Sequence, residues 1–275
     1  MKNQYFGDIN DYRKYGLLRV LHSAGFGSLL VAWMLTPDDG GQDGGFRSYL
    51  GEPERWKRYD PELYDGLVTL LSSATAPAVS LIEKSNLLPN TRYYSELVSD
   101  RLEDRDTWRR GLLEAAGDVD WVFLDPDNGI EVPSKPIGRR GSSKYVTWEE
   151  IQWLFNAGCS LLIYQHFRRE PREAFAQQLV SELGRRTGAP ITQAFRSPHV
   201  LFLLAAQDRH APRLEQAVSK VSERWEGQIK VMELANQPLQ PTPCGGWAPV
   251  INAFCQGRSP HAVTSPCWVT ETVEA

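Results

Sequence analysis

Apolar runs of strand length alternate along this chain with amphipathic helical segments, and that alternation restricts the fold more than any other feature. Residues 29–35, 119–124, 160–164, 191–195, 200–205 and 229–234 read as strands. Between them, residues 10–23, 104–116, 172–186 and about 212–225 carry helical periodicity. Two further helices announce their starts. Asp60-Pro61-Glu62 places an N-cap and a first-turn proline ahead of Leu63, Leu67, Leu70 and Leu71, and Thr147 with Glu150 forms a capping box opening a helix to Asn156, closed by Gly158. Strands that are apolar throughout, separated by helices, predict an α/β, Rossmann-like fold: a mainly parallel sheet with helices on both faces.

With 41% hydrophobic and 23% charged residues among 275, one domain over 1–235 can bury a full core, and wholesale disorder is excluded. The composition changes near Ala235. From 236 to 275 the charged residues are Arg258, Glu271 and Glu274, six prolines interrupt any element, and three of the four cysteines occur there. This segment reads as a disordered appendage, with a partner-binding segment as the alternative. Its opening, Asn236-Gln237-Pro238-Leu239-Gln240-Pro241-Thr242, resembles the terminal extensions found where translation of a mobile gene cassette runs into a recombination site. No cysteine pair has CxxC spacing, which argues against structural zinc. No run approaches the roughly 20 apolar residues that span a bilayer, so no membrane partner and a cytoplasmic location are expected. A net charge of −4 excludes a surface that is basic throughout, but leaves room for a local basic patch.

Ligands of open α/β sheets bind beyond the carboxyl ends of the strands, where two turns are chemically loaded. After 119–124 comes Asp125-Pro126-Asp127-Asn128-Gly129-Ile130-Glu131, with three carboxylates and an amide. After 160–164 comes Gln165-His166-Phe167-Arg168-Arg169. Asp-Pro and Asn-Gly are turn formers in themselves, so the charges around them matter. Residues 132–147 hold Lys135, Arg139, Arg140 and Lys144 and no acid, and Arg172 follows Arg168 and Arg169. Both clusters are expected at one end of the sheet, a positive rim around a carboxylate-lined crevice, suited to nucleic acid or a nucleotide.

The amino-terminal Gly7-Asp8-Ile9-Asn10-Asp11-Tyr12-Arg13-Lys14-Tyr15 places polar residues in the first turns of a helix, and 29–35 empties into Thr36-Pro37-Asp38-Asp39-Gly40-Gly41-Gln42-Asp43-Gly44-Gly45. That glycine-rich loop allows close backbone approach to a ligand, although it is neither GxGxxG nor a Walker loop. In this order of elements, with Asp125-Pro126-Asp127-Asn128, the chain resembles class I S-adenosylmethionine-dependent methyltransferases that modify exocyclic amines of nucleic-acid bases, in particular adenine-N6 enzymes of ribosomal RNA or DNA. Their helix element Gly-Asn-x-x-Asp-x-x-Lys-His is matched in part by Gly7, Asp8, Asp11, Lys14 and Tyr15. Their catalytic Asp-Pro-Pro-Tyr is matched by Asp125 and Pro126 and departed from at Asp127 and Asn128. Asn128 cannot stack on a base, so Tyr164, Phe167 or Trp148 is expected to do so.

The resemblance implies a methyltransferase with S-adenosylmethionine as cofactor. Asp125 would orient the acceptor amine, Asn128 would join it in the catalytic turn, and Gln165 and His166 would contact the base. Lys14, Tyr15, Thr36, Asp38 and Gly40 would lie near the cofactor, and Arg139, Arg140, Lys144 and Arg168 would hold phosphates. Two alternatives stay open: a metal-dependent phosphodiester hydrolase using Asp125, Asp127, Glu131 and His166, and a nucleotide-binding protein without catalysis. No Gly-x-Ser-x-Gly elbow is present for serine chemistry.

Overall fold

Helix starts fall where local capping chemistry dictates. The Asp8 carboxylate accepts from the amides of Asn10 and Asp11, opening α1 (Ile9–Ser23). Asp60 accepts from the amide of Leu63 and, with Pro61 in the first turn, opens α3 (Pro61–Ser73). Thr147 and Glu150 close the capping box of α6 (Trp148–Asn156). The computed structural model describes residues 1–38, 40 and 44–233. The chain divides into two units, Met1–Ala235 and Asn236–Ala275. The second, and with it the expectation of a disordered tail, lies outside the described residues, as do Asp39 and residues 41–43 of the glycine-rich loop.

The remaining elements are β1 (Leu29–Ala32), α2 (Pro53–Trp56), α4 (Ser80–Glu83), β2 (Thr91–Tyr94), α5 (Leu102–Ala115), β3 (Trp121–Leu124), β4 (Gly129–Ile130), β5 (Tyr145–Val146), β6 (Ser160–His166), α7 (Arg172–Thr187), β7 (Ile191–Arg196), β8 (Val200–Ala206), α8 (Ala211–Arg224) and β9 (Lys230–Val231). Seven strands form one sheet in the order β2-β1-β3-β6-β8-β7-β9, and β4 pairs with β5 separately. β2, β1, β3 and β6 run parallel, and β8 is antiparallel to both β6 and β7. The sheet is therefore mainly parallel and α/β, as the sequence predicts.

Successive residues of the central strands feed two cores. Leu29, Val31, Trp33, Trp121 and Phe123 belong to one, with α1, α3 and α8. Leu30, Ala32, Val122, Leu124, Leu161 and Ile163 belong to the other, with α5, α6 and α7. Covering on both faces explains why these strands read as unbroken apolar runs rather than alternating ones. α1 and α8 approach closely at Gly16, where an added Cβ would stand 1.8 Å from the Trp225 ring.

Two expectations need adjustment. Within the apolar run 29–35 the regular strand ends at Ala32 and Leu35 pairs again only in an isolated bridge, because Met34 has φ of +48°, uncommon for a residue with a side chain. β2 was not predicted: Thr91-Arg92-Tyr93-Tyr94 is a half-buried edge strand without an apolar run. Its position matters because β1 leads to β2 on one side and β2 leads to β3 on the other, so the strand order reverses between β1 and β3. That switch point is where an open sheet forms its ligand crevice.

Candidate functional site

At the carboxyl ends of β1 and β3 the chain gathers charges that lie far apart in sequence. Lys14, on the second turn of α1, places Nζ 2.7 Å from an oxygen of Asp11 and 2.7 Å from Oδ2 of Asp125, all three side chains being buried. Asp11 also accepts from the Gly7 amide at 2.9 Å and the Tyr15 hydroxyl at 3.1 Å. The Lys14 ammonium faces the rings of Tyr164 and Trp33, 5.2 and 5.8 Å to the centroids. Beside it, the Met1 amino group donates to the carbonyls of Met34 and Asp125 and pairs with Asp127 Oδ1 at 2.6 Å. Thr36 completes the frame, its hydroxyl donating to Asp127 Oδ2 at 2.9 Å.

Burial opposes every charge here, and the partners decide the outcome. For Lys14, Asp11 and Asp125 outweigh burial and hold the ammonium above its ordinary range. Asp125 is raised, burial exceeding the help of Lys14 and the Met1 amino group. Asp127 is lowered, because the Met1 amino group and Thr36 outweigh burial. Asp8, desolvated and close to Asp11, is raised to about 7. His166, at the open end of β6, is lowered chiefly by desolvation, with Asp127 opposing and Lys14 adding to the effect.

The expected site residues separate into three groups. Asp125, Lys14, Tyr15 and Thr36 meet in the buried cluster. Asp38 and Gly40 lie on the exposed loop beyond it, Asp38 accepting from the Gln4 amide. Arg139 and Arg140 are exposed and Lys144 is half-buried, in the excursion between β4 and β5; none has an ion pair among the described residues. Arg168 stands over the Phe175 ring beyond β6. Both basic segments therefore follow the carboxyl ends of parallel neighbours, β3 and β6.

Gln165 behaves differently from a base-reading amide. It is buried, with Oε1 accepting from the Ile130 amide at 2.8 Å and Nε2 donating to the carbonyls of Asn128 and His166. It reaches that position because Gly129, φ +118°, has no side chain: a Cβ there would lie 2.3 Å from Oε1. Gln165 thus clamps the acidic turn from the neighbouring strand, and the half-buried Asn128 is fixed through its backbone. The aromatics expected to stack are also engaged: Tyr164 is buried over Lys14, Arg172 covers Phe167 and Arg186 covers Trp148.

The hydrolase alternative finds little support in this arrangement. Asp125 faces Lys14, Asp127 faces Met1 and Thr36, and Glu131 accepts from the Trp148 amide. Among the described residues no three of His, Cys, Asp and Glu converge on a point that could hold a metal ion. A residue not anticipated from sequence is Glu96, exposed two positions beyond β2, where dinucleotide-binding sheets bring an acid to ribose hydroxyls. Its signal was an acid shortly after a strand, hidden because that strand went unseen. No described helix is long and apolar enough to cross a membrane. Comparison of the chain with protein-family models, with curated proteins and with solved structures finds no match.

Proposed function

We propose that this chain is an S-adenosylmethionine-dependent methyltransferase acting on an amino group of a nucleic-acid base. One observation carries the reading: the two short motifs on which the resemblance rests, separated by 111 residues, meet at the switch point through the 2.7 Å contact between Lys14 and Asp125. A methyl acceptor amine needs a carboxylate or carbonyl to receive its N–H and aim its lone pair, and a turn stiffened by Pro126 at the end of a buried strand supplies such a group on a rigid element.

The residues present suit the cofactor's chemistry. The carbonyls of Met34 and Asp125 and the Asp127 carboxylate already hold one amino group, that of Met1, and would hold the α-ammonium of the cofactor in exchange for it. Glu96 would take the ribose hydroxyls. When bound, the cofactor supplies a sulfonium methyl group. The chain's own part is to orient the amine at Asp125, to oppose through Lys14 the burial that favours protonation of that carboxylate, and to hold phosphates on Arg139, Arg140 and Lys144.

Calorimetric titration with S-adenosylmethionine, S-adenosylhomocysteine, Mg²⁺ and Mn²⁺ in parallel tests the reading. Cofactor binding that survives Asp125→Asn while methyl transfer to RNA or DNA collapses is expected; metal binding without cofactor binding overturns it. Replacing Arg139, Arg140 and Lys144 together by alanine is expected to weaken nucleic-acid binding and to flatten its logarithmic salt dependence by about 2 to 3. The deep burial of Asp125 favours one second reading, a nucleotide-binding protein without catalysis, for which Asp125→Asn changes stability and no turnover exists to lose.

A further inference from the structure

The chain leaving β2 crosses the carboxyl end of the sheet before entering α5. The Val98 amide donates to the Leu35 carbonyl at 2.8 Å, and Leu97 bridges to Leu35, the residue before Thr36 of the buried cluster. Along this crossing two leucines face solvent, Leu97 at 59% exposure and Leu102 at 58%. The basic excursion between β4 and β5 is fastened to the same segment. The Asp100 carboxylate accepts from the amides of Gly141 and Ser143, each at 2.7 Å, and from the Ser142 hydroxyl, while its carbonyl accepts from Gly138. Gly138 lies against Leu102, a Cβ there meeting the leucine at 3.7 Å. The basic excursion is therefore braced, with Leu102 against Gly138, next in sequence to Arg139 and Arg140, which lack ion pairs among the described residues, while Arg101 pairs loosely with Glu103 and Asp104 at 3.6 and 3.8 Å.

Exposed leucines on a braced frame, bordered by arginines of which Arg139 and Arg140 have no ion pair among the described residues, match the surface of proteins that prise stacked bases apart: cations hold the phosphates and an apolar wedge enters the base step. Leucine offers no ring face on which an unpaired base could stack, whereas unspecific single-strand binders rely on such faces. We propose that Leu97 and Leu102, framed by Arg101, Arg139 and Arg140, form a wedge that opens base-paired nucleic acid, keeping the gap left when the target base turns out toward the switch-point crevice. The inference rests on the proposed function and deepens it, making a duplex the substrate rather than a free nucleotide or an unpaired strand.

The probe is a duplex, in DNA and in RNA form, carrying 2-aminopurine, whose fluorescence rises on unstacking; anisotropy of the same duplex and of its single strand reports affinity. The full chain is expected to bind the duplex more tightly than the single strand and to raise the fluorescence. Leu97→Ser with Leu102→Ser, at sites exposed enough to leave the core intact, is expected to cut that rise at least about threefold with the salt dependence of binding unchanged. Arg139→Ala with Arg140→Ala is expected to lose affinity instead. A tightly bound duplex without any fluorescence rise, a rise that survives both serine substitutions, or preference for the single strand overturns the wedge. Cofactor binding and methyl transfer to single strands alone would sink this inference and leave the methyltransferase reading standing; absence of all nucleic-acid binding removes both.

Discussion

Replacing Lys14 by methionine keeps most of the side chain's volume and removes the charge that Asp11 and Asp125 share. Each carboxylate is 2.7 Å from Nζ and all three side chains are at most 3% exposed, so water cannot take the ammonium's place. Deleting one member of a buried ion pair costs about 3–5 kcal/mol, because the remaining charge is stranded in a medium that solvates it poorly. Here two like charges are stranded together. At about 2–4 °C per kcal/mol for a folded unit of this size, the melting temperature should fall by about 6–20 °C. The loss should also depend on pH. Burial already raises Asp125 while Lys14 opposes, and without Lys14 the carboxyl rises further. A group whose folded pKa exceeds its unfolded value binds a proton that the unfolded chain releases; its stabilisation is complete below the unfolded pKa and lost as pH rises through the folded one. The deficit of Lys14→Met should therefore shrink as pH is lowered from about 8 to about 5. Urea unfolding of both proteins across that range measures it, provided the denaturant slope is unchanged. A deficit under about 1 kcal/mol at the alkaline end, or one that grows on acidification, refutes the reasoning.

Asp8→Asn keeps an N-cap for α1 but removes a carboxyl raised to about 7. Asp8's stabilisation is lost as pH climbs from its ordinary range through about 7, so the variant should gain on the wild type over that interval, and parallel stability curves would contradict the assignment. Gly16→Ala, ordinarily favourable inside a helix, should here destabilise by about 1–3 kcal/mol and shift tryptophan emission, since the methyl group meets Trp225. Glu150→Gln removes the charge that Arg105 and Arg109 share, and should cost about 3–5 kcal/mol at neutral pH. Burial works against that carboxylate, but Arg105 and the Thr147 amide hold it below its ordinary range; its contribution is present above the ordinary pKa and lost as pH falls through the folded one, so chemical denaturation should show the variant's deficit fading in acid.

Local signals were the legible ones. Asp60 before Pro61, and Thr147 three residues before Glu150, cap their helices through contacts spanning three residues, which a sequence displays directly. The unbroken apolar runs of β3 and β6 gave away a sheet covered on both faces, and with it the placing of Asp125 just past a strand. β2 stayed hidden because an edge strand needs no apolar run, and Glu96 was lost with it. Gln165 looked like a ligand-facing amide because nothing local reveals that Gly129 opens a slot for it from the adjacent strand. The partners of Asp125 were illegible for the same reason: a buried carboxylate is interpreted by whatever cation the fold brings to it.

The contact between Lys14 and Asp125 also fixes a timetable for the newborn chain. Lys14 leaves the ribosome 111 residues ahead of its carboxylate, an interval of roughly 5 to 20 s at ordinary rates of synthesis. Until then its ammonium lacks Asp125 and has only nearby acids such as Asp11, and the face of α1 destined for the interior has only β1 and β2 of the sheet to lie against, because β3 has not yet been made. Desolvating an ammonium without its full set of partners is unfavourable. The contact that buries the Lys14 charge on α1 therefore cannot close until β3 has followed, and until then the ammonium is best left hydrated.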